Sequence, residues 1–130
     1  MKKISESLKD KLGVLEHDIP NQRSGTFKAR ATEAGVHVDC LGSSAVIDWR
    51  VFDEVENLLE TSPSRSAIRG SAMNARLGDK NLPLDSVEGQ IAIFYGRKVG
   101  QTVFRRISPV SNLLVWAGVC KHSRGSLILL

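Results

Sequence analysis

Ile4, Leu8, Leu12 and Leu15 recur at helical spacing with lysines and glutamates between them. They predict a short helix over residues 4–12, which Gly13 weakens and Pro20 closes off. Segment 19–25, Ile-Pro-Asn-Gln-Arg-Ser-Gly, reads as a loop. Phe27, Ala29 and Ala31 then alternate with Lys28, Arg30 and Thr32, and Val36, Val38 and Cys40 alternate with His37 and Asp39. Period-two alternation on both sides of Glu33-Ala34-Gly35 predicts an antiparallel hairpin. Gly42-Ser43-Ser44 breaks the pattern, and Ala45-Val46-Ile47 fits a third short strand.

The period then changes. Trp49, Phe52, Val55, Leu58 and Leu59 share one helical face, Asp53, Glu54, Glu56 and Glu60 the other, and Asp48 stands where an N-cap belongs. Pro63 ends this helix, because the residue before proline avoids the helical region. Ala67, Ile68, Ala72, Met73 and Leu77 fit a further helix over 66–77, with Gly70 inside it. Asp85 and Glu88 have capping-box spacing, and Val87, Ile91, Ala92 and Tyr95 follow on one face. A helix over 86–95 is predicted, with Gly96 as its left-handed terminator and Arg97-Lys98 at the negative end of its dipole. Residues 103–107 read as a strand. Ser108 reads as the cap of a helix carrying Val110, Leu113, Leu114 and Ala117, with Pro109 in its first position. Ser123-Arg124-Gly125 is a turn before a final apolar strand, Ser126–Leu130.

Helices and strands do not alternate regularly, and the first strands form a hairpin. The fold class predicted is therefore α+β: an N-terminal helix and antiparallel hairpin, then several short helices with late strands, in one domain over 1–130. A free apolar tail would be an aggregation hazard, so the last strand is expected inside a sheet or under a second subunit.

Composition narrows the class. With 42% hydrophobic and 25% charged residues, the 130-residue chain is not of disordered type. No apolar run approaches the ~20 residues of a membrane span, and no apolar stretch follows Lys2-Lys3 as in a secretion signal. Cys40 and Cys120 belong to no Cys-x-x-Cys pair. They read as reduced thiols of a cytoplasmic protein, with a disulfide left open. The net charge of +4 is unevenly placed: residues 1–64 carry −3 and residues 65–130 carry +7. Seven of the ten later cations are arginines, whose planar fork of donors suits phosphate or carboxylate. Such a division fits a polyanion-binding face, two faces that neutralise each other, or an ordinary solvated surface.

Motifs of known chemistry are absent from the sequence. The three histidines, His17, His37 and His122, show no metal-ligand spacing. His37 and Asp39 share a strand face with Glu33 nearby, which fits a metal corner or general-base pair less well than a solvated hairpin face. There is no nucleophile elbow, phosphate loop or dinucleotide fingerprint, and no cofactor is implied. Two nucleic-acid readings remain. One is a helix-turn-helix made of 66–77 and 86–95 with a wing around Gly100, which places Ser86, Val87, Glu88, Gly89 and Gln90 near the bases. The other is a basic surface drawn from Arg65, Arg69, Arg76, Arg97, Lys98, Arg105 and Arg106. Adjacent strand residues point to opposite faces, so Arg105 and Arg106 would diverge.

The stretches Ala67-Ile68-Arg69-Gly70-Ser71-Ala72-Met73-Asn74, Asp85-Ser86-Val87-Glu88-Gly89 and Val103-Phe104-Arg105-Arg106-Ile107-Ser108-Pro109 resemble small uncharacterised bacterial proteins, some carried on mobile integron gene cassettes. The likeness spans about residues 36–130. It implies a self-standing bacterial α+β protein and supplies no catalytic residues. The leading expectation is a binding protein that contacts nucleic acid or another polyanion through its arginine-rich later half. The alternatives are a homo-oligomeric interaction module using the apolar C-terminal strand, and a small enzyme without a recognisable motif.

Overall fold

The computed structural model describes residues 2–130, and of Ser43 and Ser44 the backbone alone. Helix α1 (Ile4–Leu12) lays Ile4, Leu8 and Leu12 into the core at the predicted spacing. Strand β1 (His17–Pro20) pairs with β2 (Thr26–Ala31), β2 with β3 (Gly35–Val38), and β3 with β4 (Val46–Asp48), all antiparallel. The predicted loop over 19–25 therefore loses its first two residues to a strand. Ile19 is fully buried, and Pro20 is tolerated because β1 is an edge. Gly35 is required for backbone contact: a Cβ there would lie 2.0 Å from the Ile47 carbonyl oxygen.

Helix α2 (Trp49–Thr61) starts at the predicted cap, where Asp48 Oδ1 accepts the Arg50 N–H at 2.9 Å. Its buried face is Val51, Phe52, Val55 and Leu59. β5 (Ser66–Ile68) follows. Helices α3 (Val87–Phe94) and α4 (Ile107–Trp116) precede β6 (Cys120–Ser123) and β7 (Ser126–Leu129). The second sheet has the order β5-β7-β6, so the apolar C-terminal strand is central, with both edges paired inside the chain. The β6–β7 turn uses Arg124 at φ 46° and Gly125 at φ 79°, the two positive values a type I′ hairpin needs. One hydrophobic cluster joins both sheets and all four helices, and a satellite of Leu77, Leu82 and Ala92 lies under the 72–103 region. This is the α+β class predicted.

Four local expectations are corrected. Residues 66–77 are not a helix but strand β5 followed by irregular chain. Gly70 (φ 78°) faces Ser86, whose Oγ would lie 2.6 Å from any added Cβ, and Asn74 and Gly78 also take positive φ. Helix α3 is capped by Ser86, not Asp85: Ser86 Oγ accepts the Gly89 N–H at 3.0 Å and donates to the Pro83 carbonyl at 2.6 Å. Residues 103–107 form no strand, since Arg106 and Ile107 give their N–H groups to the Glu88 carboxylate. Those bonds start α4 at Ile107, so Pro109 stands in its third position and not its first, still where no N–H is needed. Strand β6, absent from the sequence reading, is set by pairing with β7.

Candidate cationic cleft

The helix-turn-helix reading has no first helix, and its supposed base-reading residues Ser86, Val87 and Glu88 are fully buried. Arg69 instead becomes the centre of a site. Its backbone is tied on both sides: its N–H donates to the Gly125 carbonyl at 2.8 Å, and its own carbonyl accepts the Glu88 N–H at 2.9 Å. The β6–β7 turn and the first turn of α3 thus fix where its side chain emerges. The half-buried guanidinium donates through Nη1 to Gln22 Oε1 and through Nη2 to Ser111 Oγ at 3.3 Å. Its buried Nε has no partner among the described residues.

Around this group opens a cleft of about 730 Å³. The β1–β2 turn contributes Arg23, the turn after Gly78 contributes Lys80, and the segment before α4 contributes Arg105. Three cations therefore converge on Arg69, and no carboxylate is among the described lining residues. Burial holds the Arg69 pKa below its ordinary value, and the charge of Arg23 adds to this, partly opposed by Glu88. The free cleft thus crowds positive charge that nothing in its lining neutralises.

Two lining residues, Asn21 and Asn112, belong to a polar chain that ends on His122. Asn112 Nδ2 donates to Asn21 Oδ1 at 3.3 Å, and Asn112 Oδ1 lies 3.2 Å from His122 Nε2. An acceptor opposite Nε2 selects the Nε2–H tautomer, leaving buried Nδ1 as an unpartnered acceptor. Burial lowers the His122 pKa, and Arg69 lowers it further. A group depressed in the folded state contributes stability above its unfolded pKa of about 6.5 and loses it as pH falls through the folded value. Urea unfolding at pH 7.5 and 5.5 is therefore expected to show a larger loss on acidification for the wild type than for His122→Gln. An equal loss would mean that His122 takes up its proton over the same pH range in the folded and unfolded states.

Of the seven cations singled out in the sequence, the cleft takes Arg69 and Arg105. Arg65, at φ 56°, donates to the Leu129 and Leu130 carbonyls at 3.3 and 3.1 Å and lines a different groove with Asp53, Glu56 and Glu60. Arg76 reaches the Gly100 carbonyl at 3.5 Å, and Arg97 the Thr102 carbonyl at 2.9 Å, so both brace the loop where Arg76 bridges Thr102. Lys98 sits in that loop, its N–H bonded to Gln101 Oε1. Arg106 diverges from Arg105, although no strand alternation causes it. Its guanidinium lies 3.8 Å from the Tyr95 ring centroid and 4.7 Å from that of Phe104. Arg23 and Lys80 were missed. Their only signal was position, cations in glycine-containing turns, where binding residues often lie.

The hairpin pair takes a structural role on its acidic side: Asp39 Oδ1 accepts the Lys28 N–H at 2.9 Å, and His37 is half-buried in β3. Among the described residues no group of three or more His, Cys, Asp or Glu could hold a metal ion. Cys40 is exposed and Cys120 buried, and both are free thiols. No described helix is long and apolar enough to cross a membrane. No family model, curated protein or solved structure matches the chain.

Proposed function

We propose that the protein binds a phosphate-bearing polyanion, nucleic acid included, in the cleft centred on Arg69. The observation that carries this reading is the convergence of Arg23, Arg69, Lys80 and Arg105 without a lining carboxylate. Three of the four are arginines, whose forked donors match phosphate oxygens two at a time. Arg69 is held in place before any ligand arrives, which lowers the ordering cost of binding. The serine hydroxyls and asparagine amides of the lining add neutral donors of the kind that position a phosphate backbone. The reading moves the basic surface from the later half alone to a junction of both halves, since Arg23 comes from the β1–β2 turn.

Fluorescence anisotropy of labelled oligonucleotides across a salt series tests it. Neutralising four phosphates gives a log–log slope of about −3.6 on duplex DNA and about −2.8 on a single strand. Binding at ~50 mM salt that weakens along such a slope is the expected result. Absence of binding at that salt, or affinity indifferent to salt, rejects the reading.

A further inference from the structure

Next to the cationic cleft lies a second groove of different character. It has a volume of about 630 Å³ and is lined by Leu41, Val103, Phe104 and Pro109, with Cys40 among its residues. Asn21, Arg105 and Ser108 line both spaces, so the two adjoin. Arg105 is the one cation of the second groove among its described residues. Anion recognition and apolar contact are thus offered side by side, with a shared polar edge between them.

Phe104 is 43% exposed, a large aromatic side chain left accessible beside a cationic site. It is also supported: Arg106 packs against its ring at 4.7 Å and against Tyr95 at 3.8 Å, a stack that holds the ring in place. Phe104 lines this groove as well as a smaller one that Arg106 also lines. The Asn21 amide and Ser108 hydroxyl interrupt its apolar lining, which suits a flat ring with polar edges better than an acyl chain.

We propose that the phosphate bound in the cleft belongs to a nucleotide whose unpaired base lies in the adjoining groove against Phe104. This rests on the polyanion reading above and adds the class of ligand. Every base has a π-face that can stack on an aromatic ring, and only an unpaired base can leave its neighbours to do so. The ligand is then a free nucleotide or one unit of a single strand. The interior of a duplex offers its phosphates but not its bases.

Calorimetric titration at low salt with pyrophosphate, ribose 5-phosphate, AMP, a short oligo(dT) and a duplex separates the contributions. AMP is expected to bind about tenfold or more tightly than ribose 5-phosphate, the weight of one base–aromatic stack. Phe104→Ala should erase that margin and leave pyrophosphate affinity unchanged. In the wild type, alkylation of Cys40 should slow with AMP and not with pyrophosphate. Cys120, buried and with its thiol pushed up to about 12, serves as the unreactive internal control. Tighter binding of oligo(dT) than of AMP identifies a single strand as the source, and the reverse a free nucleotide. Either order supports the proposal while the Phe104 margin holds. Equal binding of AMP and ribose 5-phosphate, a margin that survives in Phe104→Ala, or a duplex bound as tightly as oligo(dT) overturns the nucleotide proposal and leaves the polyanion reading standing. Failure of every phosphate probe to bind overturns both.

Discussion

Glu88→Ala is expected to destabilise the fold by about 3 kcal/mol, lowering the melting temperature by roughly 10 °C. Glu88 is fully buried, and its carboxylate accepts the Arg106 N–H through both oxygens at 3.2 Å and the Ile107 N–H at 2.9 Å. It therefore stands in for the absent N-cap side chain of α4, reaching across from α3. Alanine leaves those N–H groups without a partner, at about 1–3 kcal/mol each. Glu88→Gln keeps the volume and one accepting oxygen, so a smaller loss is expected. The glutamine variant also isolates a pH effect. Burial raises the Glu88 pKa, opposed by the Ile107 and Arg106 N–H bonds and by the Arg106 and Arg105 charges. Between the unfolded value of about 4.3 and the raised folded value, the native state holds a proton that the unfolded chain has released. Stability from this group thus falls as pH rises through that window and is level above it. The stability of wild type relative to Glu88→Gln, measured by urea unfolding, is expected to decline with rising pH from pH 4 and then flatten. A difference that grows with pH would show that the N–H bonds outweigh burial.

Glu88 also shows where sequence reading reached its limit. Its spacing from Asp85 is that of a capping box, and a helix does begin there, yet the carboxylate acts on another helix altogether. Local periodicity found the elements whose partners are near in sequence. Ile4, Leu8 and Leu12 marked α1, the alternation about Glu33-Ala34-Gly35 marked β2 and β3, and Asp48 marked the start of α2. The apolar run at the C-terminus was legible as a buried strand because exposure would be so unfavourable, though not as the centre of its sheet. Residues 69–86 were illegible for a physical reason. They are held by backbone bonds such as Ser71 N–H to the Asn81 carbonyl, Leu77 N–H to Gln101 and Gly78 N–H to Leu82, and these have no period. Gly70 looked like a flaw in a helix when it was a point of contact with Ser86. The cleft was half legible. An excess of arginine in the later half could be counted, but convergence depends on turns that bring Arg23, Lys80 and Arg105 to Arg69, and no local pattern records that.

Arg69→Met should separate binding from folding. In the free protein the guanidinium is half-buried, has no carboxylate partner within salt-bridge distance among the described residues, and faces the like charge of Arg23. Replacing an unpaired, partly desolvated cation by an apolar chain of similar length removes a desolvation cost of several kcal/mol, which offsets the lost charge-assisted bonds to Gln22 and Ser111 at about 1.5–3 kcal/mol each. Urea unfolding without ligand is therefore expected to change by no more than about 1 kcal/mol in either direction. Affinity for a polyanion should fall far more. A hydrogen bond to a charged group contributes about 1.5–3 kcal/mol, which corresponds to roughly 10- to 150-fold in Kd. Arg69→Lys restores the charge but not the fork, and should recover only part of that loss. The salt slope sharpens the result: losing one cation contact reduces it by about 0.9 on duplex and about 0.7 on a single strand, for methionine but not for lysine. Such a division between stability and function is expected where a side chain is retained for its ligand and not for the fold. If Arg69→Met instead lowers stability by several kcal/mol while binding and its salt slope persist, Arg69 is a strut between the β1–β2 turn and α4, and the cationic cleft is not the binding site.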